Sequence, residues 1–259
     1  MIATPATRFI LIEPSHAGNV GAAARAMKVM GFGDLVLVRP RWPDVLQREE
    51  TIQRASGAND VLAAARCVQT LDEALAGMTH LCATVMTPRD FGPPTFAPRE
   101  HFSNLLESAP EVPQGVALLF GCERFGMSNQ DVYRCHAVLS IPTVGSFGSL
   151  NLAAAVQLIA YDWRQALTKR FGSGNAQKTA PRAATRPENM PADAQQLAAM
   201  LEHWQSALAD IGFLDPATPR KLMPRLQQLF ARAAPTHAEI HILRGIARAM
   251  QDAARQGDG

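Results

Sequence analysis

Three short segments of the 259-residue chain combine glycines with small amides, hydroxyls and opposite charges. Such residues let a backbone approach a ligand closely and steer a reacting group. The first segment is Glu13-Pro14-Ser15-His16-Ala17-Gly18-Asn19-Val20-Gly21, and it runs into an Ala-rich stretch holding Arg25. Asn19 and Arg25 stand a turn and a half apart there, so both are expected to face one loop mouth. The second is Gly121-Cys122-Glu123-Arg124-Phe125-Gly126-Met127-Ser128, with two glycines, an acid beside a base, and Ser128 as a helix cap. On its own it reads equally well as a tight turn carrying a surface ion pair. The third runs from Ile141 through Gly148 to Ser149-Leu150-Asn151, with Ser149 as the expected cap of a long helix and Asn151 in its first turn.

These segments need a frame that brings them together, and the chain around them alternates short apolar runs with helical stretches. Strands are expected over 9–12, 35–38, 80–85, 116–120 and 137–141, each compact and apolar as in strands buried on both faces. Helices are expected over 20–30 (closed by Gly31), 59–65, 71–76, 99–107, 128–134 and 149–169. The alternation predicts an α/β domain over 1–168 with a mostly parallel sheet. In such sheets ligands bind beyond the C-terminal strand ends, so the loops after Ile12, Val85, Phe120 and Ile141 are where chemistry is expected. Residues 172–193 are rich in Gly, Pro, Ser, Thr and Asn without periodicity, and read as a flexible linker spanning 169–193. Helical patterns over 194–211, 219–233 and 237–255 then predict a small helical extension over 194–259, its second helix opening at Thr218-Pro219.

Several functional classes are disfavoured. No apolar run is long enough to span a membrane, and the N-terminus carries no secretion signal, so a cytoplasmic protein is expected. The four cysteines are far apart and read as reduced thiols. His237 and His241 stand four apart, but without the H-E-x-x-H pattern or a third ligand, so no metal is expected. The first loop resembles a dinucleotide site but lacks G-x-G-x-x-G, and Arg39 replaces the acidic residue expected after the second strand. An arginine there could instead hold the 2′-phosphate of NADP, which keeps an oxidoreductase as an alternative. Trp163 and Trp204 read as packing residues. The net charge of +2 divides unevenly, −3 over residues 1–163 and +5 over 164–259, an asymmetry that can mark a polyanion-binding appendage.

Together the three segments resemble the SPOUT-class RNA methyltransferases, in their TrmH-like branch of ribose 2′-O-methyltransferases. The matching elements are N-x-G-A-x-A-R-x-M from Asn19 to Met27, F-G-x-E-x-x-G-[ML] from Phe120 to Met127, and I-P…S-L-N-L-A-x-A from Ile141 to Ala155. They occur in the family's order over about residues 8–165. The nearest likeness is to the TrmJ group, which methylates nucleotide 32 in the tRNA anticodon loop and also carries a C-terminal helical extension.

The resemblance implies a deep trefoil knot, a bent S-adenosylmethionine as cofactor, a homodimer whose sites borrow residues from the partner subunit, and tRNA or another structured RNA as substrate. It places the cofactor against Thr84, Val85, Met86, Gly121, Ile141, Gly148, Ser149 and Leu150. It makes Arg25 the proton acceptor; because a neutral arginine is rare, the expectation here is that Arg25 orients the 2′-hydroxyl and the adjacent phosphate whether or not it takes the proton, supported by Asn19, Glu123, Ser149 and Asn151. Where relatives read T-S-A-R, this chain has Thr84-Val85-Met86-Thr87-Pro88-Arg89, and Gly148 replaces the first serine of S-S-L-N. The alternatives are another tRNA or rRNA target, or an RNA-binding protein without catalysis. The basic excess predicts that Arg220, Lys221, Arg225, Arg232, Arg244 and Arg248 supply much of the phosphate attraction.

Overall fold

The computed structural model describes residues 4–87, 89–90, 92–107, 112–144, 148–172, 190–216 and 221–257. Seven parallel strands form one sheet in the order β3-β2-β1-β6-β4-β7-β5. These are β1 (Ala6–Ile12), β2 (Asp34–Val38), β3 (Arg66–Val68), β4 (His80–Thr84), β5 (Thr95–Phe96), β6 (Gly115–Phe120) and β7 (Ala137–Leu139). Side chains alternate across the pleat, so odd and even positions of β1 enter different cores. Phe9 and Leu11 join Leu35, Cys82, Leu118, Phe120 and Trp163 on one face. Ile10 and Ile12 join Val36, Leu81, Leu119 and Val138 on the other.

Helices cover both faces, as a parallel sheet requires. The first core is roofed by α1 (Ala17–Val29), α5 (Pro98–Glu107) and α7 (Leu152–Phe171), with α2 (Glu49–Ala55) and α3 (Asn59–Ala64) packed against α1. The second core is closed by α4 (Leu71–Leu75) and α6 (Asn129–Tyr133). Trp163 is fully buried and donates from Nε1 to Thr7 Oγ1 at 2.8 Å, a packing residue as expected.

Three further helices, α8 (Ala194–Asp210), α9 (Leu222–Ala233) and α10 (His237–Gly257), build a small core of Leu197, Met200, Leu201 and Ile240. Trp204 is tied in by its Nε1 bond to the Leu243 carbonyl and by an edge contact with Phe230. Asp193 caps α8 in a capping box with Gln196 and also accepts the Gly77 N–H at 3.1 Å. Ala194 N–H bonds Met78 O, and Gln228 Nε2 bonds Tyr133 O. The extension is thereby docked on the sheet domain through α4 and α6.

Some elements differ from those expected. Strands β3 and β5 and helix α2 have no counterpart in the sequence pattern, and α7 starts at Leu152 because Asn151, not Ser149, caps it. Asn151 accepts the Ala153 N–H at 2.9 Å. Of the expected linker, residues 169–171 are the last turn of α7, while Pro191 bridges Thr236 and Asp193 caps α8. Residues 173–189, the Thr218-Pro219 helix start and Arg220 lie outside the described residues.

Candidate active site

Strand register decides which loops meet. Leu11 pairs with Phe120, Phe120 with Thr84, and Thr84 with Leu139, so β1, β6, β4 and β7 end level with one another. The loops that follow them open along one edge of the sheet, the edge expected to hold chemistry.

Glu123, just beyond β6, reaches across to the start of α1. Its carboxylate accepts Ser15 N–H at 2.8 Å, Ser15 Oγ–H at 2.7 Å, His16 N–H at 3.3 Å and Asn19 Nδ2–H at 2.9 Å. The His16 side chain makes no cap of its own, and α1 has no acid in its first turn. A carboxylate from elsewhere in the fold therefore meets the N-cap amide and the one before it, beside the positive end of the helix dipole. Burial alone would push the Glu123 carboxyl up, but the hydrogen bonds from Asn19 and Ser15 outweigh it and hold it below the usual carboxylate range. Glu123 is thus bonded to the first segment, and the surface ion pair with Arg124 is not made.

Asn19 extends the chain. With Nδ2 committed to Glu123, its Oδ1 accepts Asn151 Nδ2–H at 2.9 Å, and Asn151 Oδ1 caps α7. One continuous network of Glu123, Asn19 and Asn151 therefore joins the three segments, each of which opens or leads into a helix. Arg25 is not part of it. Six residues separate Arg25 from Asn19, which turns them about 120° apart on α1, so the expected shared loop mouth within one chain is not formed. Arg25 is exposed and has no hydrogen bond or ion pair among the described residues.

Beside this network lies a cavity of about 400 Å³. All eight residues expected to meet the cofactor line it: Thr84, Val85, Met86, Gly121, Ile141, Gly148, Ser149 and Leu150. Two features suit a ligand with apolar and polar parts. Thr84 Oγ1 and Arg89 Nε are buried without a hydrogen-bond partner, and both residues stand in the wall. Gly121 and Gly148 keep the wall thin: a Cβ on Gly121 would lie 2.3 Å from the Gly126 carbonyl carbon, and one on Gly148 2.9 Å from Thr143 Oγ1. This donor set of backbone groups, the Thr84 and Ser149 hydroxyls and apolar side chains fits S-adenosylmethionine. It offers no acidic cluster for a metal.

Ser15 and Arg89 are additions to the expected site. Ser15 carries a signal, a hydroxyl two residues ahead of α1, whereas Arg89 becomes distinctive only through its buried, unpartnered nitrogen. Arg39 follows β2 at a left-handed φ of 44°, and its guanidinium is engaged by Glu13 at 3.0 Å and by the Gln69 carbonyl. The group that would have held an NADP phosphate is thereby occupied.

Comparison with known proteins points the same way. Residues 6–161 match the family model described as the SpoU rRNA Methylase family, and residues 195–259 match the tRNA methyltransferase TrmJ C-terminal domain. The chain is 42% identical over 249 residues to the tRNA (cytidine/uridine/adenosine-2′-O-)-methyltransferase TrmJ of Pseudomonas aeruginosa (strain UCBPP-PA14), covering 96% of this chain and 95% of that one. The crystal structure of TrmJ from Z. mobilis ZM4 superposes with a TM-score of 0.76 at 32% identity, over 96% of this chain and all of that one (100%). A structure described as giving insights into the 2-OH methylation of C/U34 on tRNA matches 65% of this chain with a TM-score of 0.50 and 25% identity.

Proposed function

Because the chain belongs to the SpoU rRNA methylase family and ends in a TrmJ-type C-terminal segment, we propose that it methylates a ribose 2′-hydroxyl of tRNA from S-adenosylmethionine, at nucleotide 32 of the anticodon loop. The observation that carries this reading is the Glu123–Asn19–Asn151 network set against a cavity lined by every residue expected to hold the cofactor. The match over both segments favours nucleotide 32 over the position-34 enzyme, which has no counterpart to about a third of this chain. The reading includes a cytoplasmic homodimer and a trefoil knot in the segment around β7 and α7, on the strength of the family.

When bound, S-adenosylmethionine would supply an electrophilic sulfonium methyl with a neutral thioether as its leaving group. What remains for the protein is alignment and the handling of a poorly acidic hydroxyl proton. Thr84 Oγ1 and the backbone about Gly121, Ile141 and Gly148 to Leu150 hold the cofactor, while Val85, Met86 and Leu150 exclude water. Glu123 and Asn19 fix Asn151 and the start of α7, and so set the floor on which the ribose rests; Ser149 at the exposed rim contacts the RNA backbone. Arg25 orients the hydroxyl with its guanidinium and stabilises developing alkoxide charge. Its position on the face of α1 turned away from Asn19 suits delivery into the partner protomer's site. Exposed Val29 on α1 and Leu158 and Tyr161 on α7 supply apolar surface for such a pairing.

Calorimetry tests the cofactor directly. S-adenosylhomocysteine should bind with one equivalent per chain and NADP should not; binding of NADP alone would overturn the reading.

A further inference from the structure

At the far end of β4 from the cavity, a second cluster of chemically capable side chains lies between the sheet and α5. His80 and Cys82 are two apart on one strand and so point to the same face. His101, in α5, descends onto them. His80 Nε2 and His101 Nε2 are 3.0 Å apart, His101 Nε2 is 3.5 Å from Cys82 Sγ, and the three ligand atoms all lie within 4.8 Å of one another. Cys82 and His101 are buried, while His80 is half-buried.

We propose that His80, Cys82 and His101 form a zinc(II) site that pins β4 to α5. Tetrahedral zinc, with nitrogen at about 2.0–2.1 Å and sulfur at about 2.3 Å, needs neighbouring donors roughly 3.3–3.6 Å apart. The separations between His101 and its two neighbours are within a few tenths of an ångström of that. Two imidazoles and one thiolate are a borderline-soft set that selects zinc over magnesium or calcium. Three protein ligands leave a fourth position for water on the half-exposed His80 side.

His136 acts beside the site. Its Nδ1 accepts the Leu81 N–H at 3.1 Å, and its ring packs 4.9 Å from that of His80, which fixes the His80 ring plane. Phe96 packs 5.2 Å from His101 on the other side. Metal binding involves no change of oxidation state. The Cys82 S–H bond gives its proton to solvent as the S–Zn bond forms, and both imidazoles bind through Nε2 lone pairs with their protons on Nδ1. The ion, level with residues 80–82, would lie about 7–13 Å along β4 from Thr84, two to four residues at roughly 3.3 Å each, so it braces the cavity wall without touching the reacting atoms.

Cobalt(II) is the probe, because a thiolate ligand gives it a charge-transfer band in the near ultraviolet. The full chain, stripped with chelator and titrated with cobalt chloride, should develop that band, saturate at one equivalent and lose it when zinc chloride is added. Cys82→Ala removes the thiol without adding bulk at this buried position, and the folded variant by circular dichroism should lack the band, as should Cys82→Ser. His101→Asn should weaken cobalt binding at least about tenfold, whereas Cys67→Ala and Cys122→Ala should leave it unchanged. A wild-type chain without a saturable band, or a band that survives in Cys82→Ala, would overturn the proposal, since the triad would then be a hydrogen-bonded cluster within the core.

Discussion

Glu123 anchors the entry to α1 from far along the chain: its carboxylate accepts the Ser15 and His16 amides, 108 and 107 residues away. Removing that charge should therefore cost both stability and positioning. Glu123→Gln turns an amide toward the Ser15 and Asn19 donors, and the expected loss is about 1.5–3 kcal/mol for charge-assisted bonds, read by urea denaturation. Methyl transfer should fall at least tenfold with it. The pH dependence follows from the same bonds. Because the folded carboxyl titrates below its usual 4.5, its contribution to stability is complete above that pH and is lost as pH falls through the folded value. Wild-type stability should thus fall more steeply than that of Glu123→Gln when acid titrations are compared below about pH 4.5. Arg25 is the opposite kind of residue, exposed and without partners among the described residues. Arg25→Ala should leave Tm within about 1 °C, as surface substitutions do, and reduce turnover by roughly a hundredfold or more.

At the scale of elements, the site depends on close approaches that only glycine permits. A Cβ at Gly21 would stand 2.0 Å from the Thr51 carbonyl oxygen, so α1 and α2 meet backbone to backbone there. Gly21→Ala should force the two helices apart, cost about 1–3 kcal/mol and lower Tm by several degrees in a thermal melt. Gly33→Ala, with nothing within 4 Å of its added carbon, should leave Tm unchanged. The same packing explains what the sequence concealed. Helix α2, EETIQRA, shows no apolar stripe because it buries only Thr51 and Ala55, and Thr51 spends its hydroxyl on the Val45 and Ala17 carbonyls. Strands β3 and β5 are three and two residues long at the sheet edges, too short for periodicity to reveal. The central strands β1, β2, β4 and β6 are legible because burial on both faces makes them continuously apolar. The cavity residues are legible from motif likeness, whereas the bonds joining Glu123 to Ser15 and Asn19 are not, since no local pattern encodes an interaction across 104 residues. Spacing misleads at Arg25, because six positions along a helix do not return to the same face.

For the whole molecule, near-neutral overall charge arises from a sheet domain of net −3 through residue 163 and a following segment of net +5. Most of that excess, +4, lies in residues 164–193, while residues 194–259 are net +1 and place their described arginines on α9 and α10, in an extension docked on α4 and α6 through Gly77, Met78 and Tyr133. Replacing exposed Arg232, Arg244 and Arg248 together by Ala should weaken tRNA binding and flatten the slope of log K against log salt by about 0.7 for each phosphate that is no longer neutralised. Affinity for S-adenosylhomocysteine should stay unchanged in the same variant. Methyl transfer to ribose and the placement of Arg25 at the hydroxyl stand or fall in one assay. Methyl-labelled S-adenosylmethionine and an unmodified tRNA transcript should give label only as a 2′-O-methyl at nucleotide 32, with the label lost in Arg25→Ala while S-adenosylhomocysteine still binds. Label on a base, or near-normal turnover by Arg25→Ala, would contradict it.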